Sequence, residues 1–136
     1  MYASPLRGDP AAIYRQVDVS SRVQSASPHR LIQLLYEDLD VALRQAAFAI
    51  EKKQFEIKSA RITKALAILF ALEAGLDFTK GGDVAETLSR LYRGARSEVT
   101  GAGVSGDAEA LRVVAANLAE IAAAWRQIEQ QQRAAA

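Results

Sequence analysis

The sequence predicts an all-α fold, an antiparallel up-and-down four-helix bundle with a short helical segment at its N-terminal end. Three observations predict it. Half of the 136 residues are hydrophobic, alanine is abundant and runs of Val, Ile and Thr are scarce, which favours helix over strand. Apolar residues recur every three and four positions over long stretches. No proline follows Pro28, so only glycines and polar clusters divide the rest of the chain.

The elements follow in order. Residues 1–27 form an N-terminal segment. Asp9-Pro10 is a helix-start signal, and Ile13, Tyr14 and Val17 then share one side of a short amphipathic helix. So short a helix is marginal alone in water, so it docks on the main body as a cover or stays mobile. The main body, residues 28–130, opens at Ser27-Pro28, with Ser27 as cap and Pro28 at the first helical position.

One helix from Pro28 to Ala74 would be about 70 Å long, against a radius of gyration near 14 Å for a compact chain of this size. A turn is therefore required, and the polar cluster Glu51-Lys52-Lys53-Gln54 is the place for it. Gly75, Gly81 and Gly82 mark the next break, and Gly101, Gly103 and Gly106 the last. Four helices result, near 28–51, 55–75, 83–100 and 107–130, with a frayed tail at 131–136. Short connections make sequential helices antiparallel neighbours.

The first two helices carry more apolar surface than one core-facing stripe requires. In the first, Leu31, Ile32, Leu35, Leu39, Ala42, Ala46 and Ile50 form a broad stripe, and Leu34, Val41 and Phe48 recur on a second one. In the second, Ile62, Ala65, Leu69, Leu72 and Leu76 form the core stripe, and Leu66, Ile68 and Phe70 widen it. The third places Val84, Leu88, Leu91, Ala95 and Val99 inward, with Arg90, Arg93 and Arg96 outward. The fourth has a bundle seam of Leu111, Val114, Leu118, Ile121, Trp125 and Ile128. The surplus stripes are either buried by the bundle and its N-terminal segment, or they form an apolar groove that receives an amphipathic segment of a partner. On that second reading Leu34, Val41, Phe48, Leu66, Ile68 and Phe70 line the groove. Ile13, Tyr14 and Val17 are then its displaceable cover.

Other chemistry finds little support. A net charge of +1 argues against generic attraction to nucleic acid or anionic lipid. There is no cysteine, which excludes disulfides and thiolate chemistry. No apolar run approaches the roughly 18 residues of a membrane span, and the first residues lack the pattern of a secretory signal. His29, the single histidine, has neither a second His nor a Cys with which to hold a metal. It reads as a helix-start residue, with a phosphoacceptor in a signalling bundle as the alternative. Glu37, Asp38 and Asp40 read as a solvated face and not as a catalytic pair. Lys52, Lys53, Lys58, Arg61 and Lys64 read as a charged turn and helix flank; a nucleic-acid site is the alternative. No phosphate-binding or activated-serine motif is present, so the chain reads as a non-enzyme without cofactor or metal.

Five stretches then point to a family. Ser25-Ala26-Ser27-Pro28-His29-Arg30-Leu31-Ile32-Gln33-Leu34-Leu35-Tyr36-Glu37 resembles the first-helix signature of the bacterial flagellar secretion chaperone family FliS. Met1-Tyr2-Ala3 and Tyr14-Arg15-Gln16-Val17 resemble that family's N-terminal segment. Lys80-Gly81-Gly82-Asp83-Val84-Ala85-Glu86-Thr87-Leu88-Ser89-Arg90-Leu91-Tyr92 resembles its third-helix start, and Ile121-Ala122-Ala123-Ala124-Trp125-Arg126-Gln127-Ile128 the end of its fourth. Two departures are the glycine-rich run Thr100 to Gly106, and Phe70 where a polar residue is commoner. The resemblance implies a cytoplasmic four-helix chaperone without enzymatic activity. It implies that the partner is the disordered C-terminal segment of newly made flagellin, kept from polymerising early and handed to the export apparatus.

Overall fold

The computed structural model describes residues 27–135. Four helices account for nearly all of them: α1 (Pro28–Glu51), α2 (Phe55–Ala74), α3 (Phe78–Ser105) and α4 (Ala108–Ala135). Neighbours in sequence pack against each other, and α4 returns to pack on α1, so the four close into an up-and-down ring. Ile13, Tyr14 and Val17 lie outside the described residues.

The local signals act as the sequence predicts at the first helix. The Ser27 hydroxyl accepts from the Arg30 amide at 3.1 Å, and Pro28 fills the first turn. At the other end, the Gln54 amide reaches back to the Ala49 carbonyl at 2.8 Å and the Lys53 amide to that of Ile50 at 3.1 Å. This is a Schellman stop, and it puts Lys53 at φ 57°, where glycine is the usual occupant. The turn thus falls at the expected polar cluster without the residue type that ordinarily marks it. Lys53→Gly is expected to raise stability by up to about 1 kcal/mol in urea unfolding, since a left-handed conformation costs a side-chain-bearing residue about 1–2 kcal/mol.

One glycine reading is met and one needs correction. Helical structure resumes at Phe78, because Asp77 caps it and accepts from the amides of Thr79 and Lys80, each at 3.0 Å. Gly82 (φ 50°, ψ −126°) is not helical, so two helical pieces meet there at a kink, at the break the sequence predicts, and the long piece follows it. Gly101 and Gly103 lie inside the helix, which stops at Gly106, in the left-handed region at φ 73°. A Cβ at Gly103 would stand 2.8 Å from Ile62 Cδ1, the tip of a side chain of α2, which would have to turn aside to admit it. The Lys58 ammonium closes the same corner, donating to the Gly103 carbonyl at 3.1 Å.

The core is leucine-rich at one end of α1 and alanine-rich at the other. Leu31, Leu35, Leu39 and Leu43 meet Leu69, Leu72, Leu76, Leu111, Val114 and Leu118. Six consecutive residues of α1, Leu31 to Tyr36, are buried, so the start of this helix is enclosed on every side. Towards its other end, Ala42, Ala46, Ala47 and Ala49 are buried and allow close helix packing.

The third helix keeps most of its expected inward face, with Ala95 and Val99 buried and Leu88 and Leu91 packed partly buried against the core, and departs from it at Val84. Val84, expected inside, is 53% exposed. Ala85, Ser89, Tyr92, Val99 and Ala102 are the residues that face in, with Ala95 beside them. Ser89 and Tyr92 are polar at one atom, so an apolar count passes over them. Each is buried because that atom has a partner across the bundle.

Candidate functional site

Two shallow apolar grooves flank α2. The first lies between α1 and α2, where Val41, Phe48 and Ile57 project beside Gln45, Gln54 and Arg61. Val41 is 51% exposed and Phe48 is 54% exposed. The Arg44 guanidinium is held by Asp40 at 3.1 Å along the rim, and the Lys52 ammonium stands 5.5 Å over the Phe48 ring. The second groove lies between α2 and α3, with Leu66, Ala67 and Phe70 facing Arg93, Arg96 and Gly101. Phe70 is 63% exposed, and the Arg96 guanidinium sits 5.7 Å over its ring.

Four of the six groove residues predicted from spacing are therefore on these surfaces: Val41 and Phe48 in the first, Leu66 and Phe70 in the second. Leu34 and Ile68 are not, since both are buried in the core. Leu34 shares a seven-residue spacing with Val41 and Phe48, but a straight helix drifts about 20° per heptad, and the start of α1 is enclosed all round. Ile68 stands about 200° round the helix from both Leu66 and Phe70, so it points inward where they point out. Ile57 is a groove residue that sequence reading missed. It stands just after a polar turn and belongs to neither apolar stripe.

The second groove is anchored by Glu73. Its carboxylate accepts from Arg96 Nη1 and, at 3.0 Å, from the buried Ser89 hydroxyl, and Arg93 Nε approaches it at 3.6 Å. Burial by itself raises the Glu73 pKa, but the hydrogen bonds from Arg96 and Ser89 and the two guanidinium charges outweigh it. They hold the carboxyl below its ordinary value of 4.5. Because the folded pKa is the lower one, this contribution to stability is complete above the unfolded value and is lost as pH falls through the folded one. Glu73→Gln is accordingly expected to lower the melting temperature at neutral pH. The gap from the parent should narrow as pH falls below about 4.5, a trend that thermal unfolding at several pH values checks directly.

A second polar bridge crosses the bundle interior. The hydroxyls of Tyr36 and Tyr92 hydrogen-bond to each other, and burial pushes the Tyr36 pKa up to about 12, with the bonds to Tyr92 and Trp125 opposing the shift. The pair keys α1 to α3 across the ring. His29 packs at 6.1 Å from the Trp125 ring, and its Nδ1 is buried without a hydrogen-bond partner among the described residues. That environment is an aromatic packing site at the end of the bundle. Arg112 forks onto Glu51 and ties α4 to the end of α1; so exposed a pair adds little stability.

Among the described residues, no group of three or more acidic or histidine side chains could hold a metal ion. No helix among them is long and apolar enough to cross a membrane. What these surfaces offer chemically is non-covalent: exposed aromatic and aliphatic side chains in open troughs.

Comparison with known proteins follows the same line. The profile of the family described as "Flagellar protein FliS" matches residues 10–132. The chain is 40% identical over 116 residues to the flagellar secretion chaperone FliS of Salmonella typhimurium, covering 85% of this chain and 86% of that protein. It is 38% identical over 112 residues to the flagellar secretion chaperone FliSB of Pseudomonas aeruginosa, covering 82% and 89% respectively. To the flagellar secretion chaperone FliS of Vibrio cholerae it is 34% identical over 115 residues, with 85% of each chain covered.

Proposed function

The chain belongs to the flagellar protein FliS family, and from that premise we propose that it is a cytoplasmic export chaperone for flagellin. It binds the disordered C-terminal segment of the newly made subunit, prevents premature polymerisation and presents the subunit to the export apparatus. The relatives named above are flagellar secretion chaperones, not enzymes. One observation carries the reading: Val41, Phe48, Ile57 and Phe70 stand exposed along the two troughs beside α2. A folded monomer gains nothing by leaving such residues in water, and a partner that folds on binding needs a long apolar track to offset its ordering entropy.

In this reading the protein has three parts. Residues 28–130 form the binding bundle, residues 131–136 are a tail that continues the last helix as far as Ala135, and residues 1–27 supply Ile13, Tyr14 and Val17 as a cover that the client displaces. Leu34 and Ile68 support the troughs from beneath instead of lining them.

Calorimetric titration of the whole chain with the flagellin C-terminal segment of the same organism tests the proposal. Saturable binding with a negative heat-capacity change is expected, the mark of apolar surface leaving water. An absence of binding by a well-folded sample would refute it.

A further inference from the structure

We propose that the trough between α2 and α3 reads acidic side chains. It seats an amphipathic helix of the exported client whose apolar stripe covers Phe70 and Leu66, and whose carboxylates, one turn apart, take Arg93 and Arg90. The inference rests on the chaperone reading above and adds the chemistry the client must carry at this trough.

The charged side chains lining the trough are Arg93 and Arg96, and no carboxylate joins them. Arg96 is committed, since it binds Glu73 and lies over Phe70. Arg93 is held less firmly. It is more than half exposed, its ion pair with Glu73 is 3.6 Å long at Nε, too far for a good hydrogen bond, and Glu86 lines the adjoining hollow with it. Arg90 stands one turn earlier on α3, in the adjoining hollow with Arg93, Phe78 and Glu86. It is exposed and makes no ion pair among the described residues, and neither does Glu86.

Glu73 therefore neutralises one guanidinium and, by its bond to Ser89, stays fixed beneath the groove. Two planar forks remain on offer, one helical turn apart, beside an exposed phenylalanine. A guanidinium binds a carboxylate through two parallel hydrogen bonds, an arrangement that an amide does not reproduce with equal strength. Side chains three apart on a facing helix have the same spacing of about 5–6 Å. Arginine beside a large apolar anchor is also the composition of binding hot spots. In the trough between α1 and α2, Asp40 occupies Arg44 and Arg61 has no second arginine one turn away, so no such pair of forks is offered there.

The test uses two synthetic helical peptides with one shared apolar stripe. One carries glutamates a turn apart along its flank, the other glutamines. Against the parent chain, anisotropy titration is expected to show the glutamate peptide binding about tenfold more tightly, with the difference shrinking as salt is added. In the Arg90→Gln, Arg93→Gln double variant, the preference should vanish while the glutamine peptide binds as before. Arg93→Gln gives up only the long contact to Glu73, and an unchanged melting curve shows that the bundle is intact. Equal affinities for the parent, no binding of the glutamate peptide, or a preference that survives in the double variant would each overturn the proposal. The flagellin C-terminal segment is run alongside. Binding that is the same in parent and double variant sinks the acid reading and leaves the chaperone reading standing; no binding to the parent sinks both.

Discussion

A Phe48→Asp, Phe70→Asp double variant is expected to bind the flagellin C-terminal segment at least about a hundredfold more weakly than the parent, with stability changed by no more than about 1 kcal/mol. Each phenylalanine leaves more than half of its surface in water, so neither holds the bundle together. Covering such a ring releases roughly 1.5–3 kcal/mol, and a carboxylate in its place must be desolvated instead. The fold tolerates the new charges, since Lys52 stands over the Phe48 ring and Arg96 over that of Phe70. The stacked cations contribute only about 0.5–1 kcal/mol each at such exposed sites. Calorimetry gives the affinity and thermal unfolding the stability. Undiminished binding by a folded double variant would remove both troughs as the client's seat. The single variants apportion the effect, and their sum should fall close to the double because the residues lie in different troughs and share no partner.

Leu39→Ala is expected to cost about 2–5 kcal/mol, whereas Val41→Ala, two positions along the same helix, should fall within about 0.5 kcal/mol of the parent. Leu39 is enclosed in the core, and removing its branched end leaves a cavity that rigid neighbours only partly fill. Val41 faces the trough between α1 and α2, where water already reaches it. Domains of this kind have a total stability near 5–15 kcal/mol, so the Leu39 change removes a large share of it. Urea unfolding followed by circular dichroism compares the two directly. Near-equal midpoints would mean that α1 is not seated as described here. Client affinity should respond the other way round, with Val41→Ala weakening it and Leu39→Ala leaving it nearly intact once the chain is folded.

These pairs show where reading the chain succeeds and where it stops. Helix starts and the first turn are local matters. Ser27, Pro28 and the Glu51–Gln54 cluster act through backbone groups a few residues away, so a short window contains the whole cause. The same holds for the leucine stripes of α1 and α2 and for the seam of α4, where Leu111, Val114, Leu118 and Trp125 are buried as spaced. On the third helix Ala95 and Val99 are buried as spaced, but two inward positions are passed over because polar bonds to other helices hold them, Ser89 to Glu73 and Tyr92 to Tyr36. No window along α3 contains those partners. Gly103 likewise reads as a break until Ile62 is seen against it.

The amino-acid order alone determined that this protein is a bundle of four long helices with more apolar surface than a single inward stripe needs, and its motifs named the family. The tertiary structure decided which apolar side chains remain in water. Leu34 and Ile68 went inside, while Val41, Phe48 and Phe70 stayed on the rims of two troughs beside charged neighbours. The reason is geometric: periodicity sets the angle at which a side chain leaves its helix. Exposure depends on whether another helix stands at that angle and that height, and only the packed bundle supplies that.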